Sequence, residues 1–190
     1  FAKLETIVFA HGGIIEEFLG DCVKAIFGVT PSSNPTRLAV RAALEIREAI
    51  ADYNREAELP SPLGIHIGVN SGAVVTIPSG DTDGGIAAIG DTVRLVNALE
   101  DTSVRGEILV GPETFALTQE EFSYRPRDPI ALSPHPQPFA VYELLGTRQG
   151  PVTRRASERR VATVVFAEVL GLEALAAESD ELTYAEWIRG

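Results

Sequence analysis

The 190-residue sequence predicts one α/β domain, an α+β sandwich. Three observations carry that prediction. Segments with helical apolar spacing alternate with strand-like segments. Two pairs of short strands are joined by turn signals. Residues 161–166 form a continuous apolar run, β-branched at several positions, which suits a buried central strand. Alternation with paired hairpins is the ferredoxin-like βαββαβ arrangement. The length is enough to bury one core, and 45% hydrophobic with 23% charged residues is ordinary for a globular domain.

Residues 1–10 read as the end of an amphipathic helix, with Leu4, Ile7 and Val8 on one face. His11-Gly12-Gly13 stops it. Residues 13–18 and 23–27 read as strands joined by a tight turn, Leu19-Gly20-Asp21-Cys22. Asn34 caps a helix and Pro35 opens it. That helix runs to about residue 57, with Val40, Ala43, Ile46, Ile50 and Tyr53 spaced by three and four. Residues 63–69 and 73–77 read as a second strand pair around Asn70-Ser71-Gly72, a turn signal. Residues 79–85 are a polar loop. Short helices are predicted at 92–99 and 112–117, and strands at 108–110, 122–131 and 139–144. Residues 133–138 are a proline-rich loop. Polar, arginine-rich residues 146–158 read as a linker, and 172–189 as a helix in which Trp187 and Ile188 pack toward the core.

Composition excludes some functions. A formal charge of −11 argues against nucleic acid and anionic membrane surfaces as partners. No stretch approaches the roughly 18–20 apolar residues needed to span a bilayer. Nothing resembles an export signal, and the lone Cys22 forms no internal disulfide, so the expected location is cytoplasmic. The sequence starts with phenylalanine and lacks methionine, so it reads as a piece of a longer protein. There is no dinucleotide-binding GxGxxG, Walker loop, CxxC or HExxH.

Five segments together resemble class III adenylate and guanylate cyclases. They are His11-Gly12-Gly13 with Glu17-Phe18-Leu19-Gly20-Asp21 and Ala25-Ile26-Phe27-Gly28; Gly64-Ile65-His66-Ile67-Gly68-Val69-Asn70-Ser71-Gly72; Ile89-Gly90-Asp91-Thr92-Val93 with Leu99-Glu100; Val141-Tyr142-Glu143-Leu144; and Val164-Val165-Phe166-Ala167-Glu168-Val169-Leu170-Gly171. The last resembles the family's first strand, yet it comes last here. The helix ending at Gly190 would run on into Phe1 as one family helix. Two readings follow: a circularly permuted domain, or a fragment whose tail completes a neighbouring copy. Both divide the chain into a core at 1–146, a linker at 147–160 and the family's first strand and helix at 161–190. Permutation is tolerated when natural termini lie close together at the surface.

The resemblance implies a metal-dependent cyclisation, in which a nucleotide's 3′-hydroxyl attacks its own α-phosphate. It implies Mg²⁺ or Mn²⁺ on two carboxylates, Asp21 in the hairpin and Glu168 where the family has aspartate. Either carboxylate also fits a simple polar strand end. Val169, Leu170 and Gly171 then belong to the nucleotide site. Glu17 stands where guanylate cyclases carry a base-reading glutamate; the plain reading is a solvent-facing charge. Ala87 holds the second base-reading position and offers no polar group. Arg94 replaces the family's ribose-orienting asparagine, Ala98 its phosphate-stabilising arginine, and Ser133 its phosphate-binding lysine. His66, flanked by isoleucines, reads as a satisfied strand histidine, Cys22 as a small buried hydrophobe, and His135 as an exposed loop residue.

Three functions fit. One is a cyclase homology domain with impaired catalysis, acting as a regulatory or dimerising module in a homodimer or in a heterodimer with another cyclase domain. Another is a weakly active cyclase acting on GTP or ATP. The third is a ferredoxin-like module for another ligand.

Overall fold

The computed structural model describes residues 1–29, 32–57, 59, 61–78, 85–148 and 162–170. Its elements are α1 (Ala2–Ala10), β1 (Gly13–Leu19), β2 (Cys22–Phe27), α2 (Pro35–Glu56), β3 (Gly64–Gly72), β4 (Val75–Pro78), β5 (Ile86–Ile89), α3 (Asp91–Thr102), β6 (Ile108–Val110), α4 (Pro112–Thr118), β7 (Phe122–Ile130), β8 (Phe139–Thr147) and β9 (Ala162–Leu170). Seven strands form one sheet in the order β1-β2-β9-β3-β6-β8-β7, and β4 pairs with β5 in a separate ribbon.

Local chemistry explains most elements. Asn34 Oδ1 accepts the Arg37 amide at 3.0 Å, and Pro35 takes the first helical position. Leu19 pairs with Cys22 across a two-residue turn, where Gly20 adopts φ 63°. The continuous apolar run becomes β9, antiparallel to β2 on one side and β3 on the other. Its side chains alternate between two cores. Val165 and Ala167 join the core under α1, α2 and α4, while Val164 and Phe166 join the one under α3 and β5. The helix predicted at 172–189 and residues 149–160 of the predicted linker lie outside the described residues, while β8 extends to Thr147.

One predicted hairpin is wrong. Residues 63–77 do not fold back at Asn70-Ser71-Gly72. β3 runs straight through that turn signal to Gly72, because β9 pairs with it along its whole length. Asn70 and Ser71 are buried there. The Asn70 amide donates to the Thr92 carbonyl at 3.0 Å, and Ser71 joins the Thr36, Thr114 and Thr163 hydroxyls in a buried cluster. Those partners supply what a turn would otherwise supply. β4 pairs instead with β5, a strand the sequence did not announce.

α3 lies directly on β3. A Cβ on Gly68 would meet the Val96 carbonyl oxygen at 2.5 Å and the Glu100 amide at 2.9 Å, so glycine lets the helix approach. No helix among the described residues is long and apolar enough to cross a membrane.

At the other end of the sheet, Glu143 on β8 accepts hydrogen bonds from Arg125 at 2.6 Å and Arg127 at 2.9 Å on β7. Burial opposes its charge, but the two guanidinium groups win and lower its pKa. A carboxylate with a lowered folded pKa adds stability above its unfolded value, and that stability fades as pH falls through the folded pKa. Glu143→Gln should therefore cost about 1 kcal/mol at pH 7, discounted for the exposed arginines. The loss should shrink toward zero in acid, read by denaturant melts across pH. An equal loss at pH 7 and pH 3 would contradict this.

Candidate functional site

β9 brings Glu168 to the middle of the sheet. Its register partners are Cys22 on β2 and His66 on β3. All three face α3, as Phe166 does two residues earlier. They line a cavity of about 430 Å³ together with Leu19, Asn97, Glu100 and Asp101. Asp21 reaches the same place from the hairpin turn. Ligand atoms of Asp21, Cys22 and Glu168 lie within 4.8 Å of one another.

That donor set fits a hard dication in its oxygens. Burial, with the charges of Glu168, Glu100 and Asp21 behind it, pushes the Cys22 thiol up to about 12. Cys22 is therefore a neutral thiol at pH 7, half-buried at the cavity wall rather than fully buried as read from the sequence. Asp21 and Glu168 remain as the two carboxylates suited to Mg²⁺ or Mn²⁺.

His66 is buried and does more than satisfy itself. Its Nδ1 lies 3.1 Å from the Glu100 carbonyl oxygen and 3.0 Å from Ser103 Oγ. Its Nε2 contacts the Glu168 carboxylate directly and lies 3.5 Å from Glu100 Oε1. Burial pushes the Glu100 carboxyl up to about 7; His66 opposes this and Glu168 adds to it. Glu100, Asn97 and Asp101 were not singled out as site residues. A signal was present: Glu100 lies one turn beyond Val96 and two beyond Val93, on the apolar stripe of α3.

Glu17, Ala87, Arg94 and Ala98 do not line this cavity. Glu17 is exposed, 3.6 Å from Lys24 Nζ. Its neighbour Glu16, at a bulge in β1, turns inward instead; it accepts Lys24 Nζ at 2.9 Å and the Ala88 amide at 3.1 Å. Ala87 pairs with Ile77 in the small ribbon. Arg94 donates to Asp91 at 3.1 Å and to the Ser133 carbonyl, so it is held on the outer side of α3. Ala98 is half-exposed on the same helix. Val169 and Leu170 end β9 opposite Ile65 and Gly64. Gly171 lies outside the described residues. His135 is partly buried, edge-on to Phe139 with ring centres 5.0 Å apart, rather than exposed.

Known proteins share this architecture. Residues 1–146 match the family described as the adenylate and guanylate cyclase catalytic domain. The germination-specific adenylate cyclase of Dictyostelium discoideum is 23% identical over 129 residues, 67% of this chain but only 15% of that protein. The crystal structure of the adenylyl cyclase CyaB from P. aeruginosa superposes with a TM-score of 0.70 at 26% identity, covering 83% of this chain and 81% of that one. The guanylate cyclase domain of RhGC from Catenaria anguillulae, solved in complex with GTP, gives 0.68 at 25% identity, covering 77% and 80%. With residues 1–146 matched and the sheet order closed by β9, the chain belongs to the adenylate and guanylate cyclase catalytic domain family.

Proposed function

We propose that this is a cyclase homology domain with impaired catalysis, working as a regulatory and dimerising module in cyclic-nucleotide signalling. The observation that carries it is the lining of the Glu168 cavity. Three carboxylates face it, and no lysine or arginine among the described residues does. A nucleoside triphosphate carries several negative charges, so such a wall repels it unless metal ions intervene. Asp21 and Glu168 would hold Mg²⁺ or Mn²⁺, which when bound neutralises phosphate charge and activates an attacking oxygen.

Among the described residues the cationic half is missing from this site. Arg94 is engaged with Asp91 and Ser133, Ala98 offers no donor, and Ser133 carries no charge. In a homodimer the second copy brings the same residues. A heterodimer with another cyclase domain supplies them, and this chain then contributes its carboxylates. Exposed Val75, Ile77 and Ile89 on the small ribbon support a dimerising role. The position of β9 between β2 and β3 supports a circularly permuted reading, with 161–190 serving as the family's first strand and helix.

The second reading, a weakly active cyclase, draws on the closeness of Asp21 and Glu168. One assay separates the two. The purified domain, given GTP or ATP with Mn²⁺, should form cyclic product at background rate. Turnover of about 1 s⁻¹ or more, ordinary for an enzyme, would overturn the impaired reading.

A further inference from the structure

We propose that His66, Glu100 and Glu168 form a binding site for Zn²⁺ that shares only Glu168 with the Asp21–Glu168 pair. Ligand atoms of the three lie within 4.8 Å of one another. The Glu100 side chain is 7% exposed and receives no hydrogen bond from the described residues; its polar contact is His66 Nε2, 3.5 Å away. A buried carboxylate without a donor is costly, and a cation is the direct remedy.

The histidine is set up to bind metal. Ser103 Oγ spends its proton on the Glu100 carbonyl at 2.7 Å. Both neighbours of His66 Nδ1, that carbonyl and Ser103 Oγ, therefore accept, so Nδ1 carries the hydrogen. This is the outer-shell arrangement that orients a ligating imidazole. Nε2 then faces two carboxylates, Glu168 and Glu100. The imidazole nitrogen and two carboxylates converge on one point, and an ion bound there takes the place of the proton that Nε2 shares with Glu168.

The donor set selects the ion. One imidazole nitrogen and two carboxylate oxygens suit Zn²⁺, whereas Mg²⁺ prefers oxygen and water. Two ligands at about 2.1 Å on a tetrahedral ion stand roughly 3.4 Å apart. His66 Nε2 and Glu100 Oε1 already stand at 3.5 Å, and the Glu168 carboxylate, in direct contact with Nε2, must swing outward to admit the ion. The adjoining cavity of about 430 Å³ has room for a water in the fourth position. Glu168 belongs to both sets, so an ion held by His66 draws it away from Asp21. That competition rests on the Asp21–Glu168 reading; Zn²⁺ binding at His66 does not.

The test is calorimetry with Zn²⁺ alone, without nucleotide. The chain should bind one ion. His66→Gln and Glu100→Gln should each weaken binding by more than the roughly 10- to 100-fold that loss of an outer-shell partner costs. Asp21→Asn should bind as the parent chain does. Absence of stoichiometric binding overturns the proposal, as does binding lost in Asp21→Asn but kept in His66→Gln. Should a His66 variant fail to fold, X-ray absorption of the Zn²⁺-loaded parent chain decides: imidazole scattering in the ligand shell supports the site, and an all-oxygen shell refutes it.

Discussion

A chain cut after Arg148 is expected to lose cooperative folding altogether. The cut removes β9, which pairs on both sides along its length. Val164, Val165 and Phe166 are almost fully buried, and burying each is worth roughly 1.5–3 kcal/mol. Thr163 also leaves the hydroxyl cluster that ties β9 to Thr36 and Ser71. Together these losses rival the roughly 5–15 kcal/mol by which a domain is stable. β2 and β3 would meet solvent as two unpaired edges. The check is a thermal melt by circular dichroism. A sharp transition close to that of the parent chain would mean that β9 is not part of the core.

The second large effect concerns chemistry. The variant combining Glu168→Asp, Arg94→Asn, Ala98→Arg and Ser133→Lys should gain about 100-fold or more in cyclase turnover with Mn²⁺. One missing donor to developing charge typically costs about 100- to 1,000-fold. Groups that act as a unit are strongly non-additive, so Ala98→Arg alone should gain far less. Arg94 must change as well, because it now clasps the Ser133 carbonyl against α3. The gain requires the proposed dimer of two cyclase domains. If that dimer assembles and the fourfold variant stays inert, the defect lies elsewhere than in these four positions.

Much of the fold was legible because its signals are local. Asn34-Pro35, the Gly20-Asp21 turn and the β-branched run of β9 each act within a few residues. The failure at Asn70-Ser71-Gly72 has the opposite cause. Its turn chemistry was genuine, but β9, from the far end of the chain, recruited those residues into a ladder. The site divides the same way. Asp21 and Glu168 could be placed by resemblance, and the structure brings them together. Glu16 displaced Glu17 as the inward carboxylate because a bulge shifts register by one residue. Glu100 carried a sequence signal, a charge on the apolar stripe of α3, but the surroundings that bury it follow from the packing of α3 on Gly68. His66 was read as satisfied, which holds for Nδ1; the role of Nε2 depends on a register partner that sequence spacing does not reveal.

The central place of β9 has a consequence for synthesis. His66 and Glu168 are 102 residues apart. At about 5–20 residues per second, a ribosome needs roughly 5–20 s to travel between them. Within this chain, β2 and β3 are made before the strand that pairs between them. Pairing with β9 is long-range, and such pairing is intrinsically slow. β9 is therefore the strand by which one copy of this chain could enter the gap between another copy's β2 and β3.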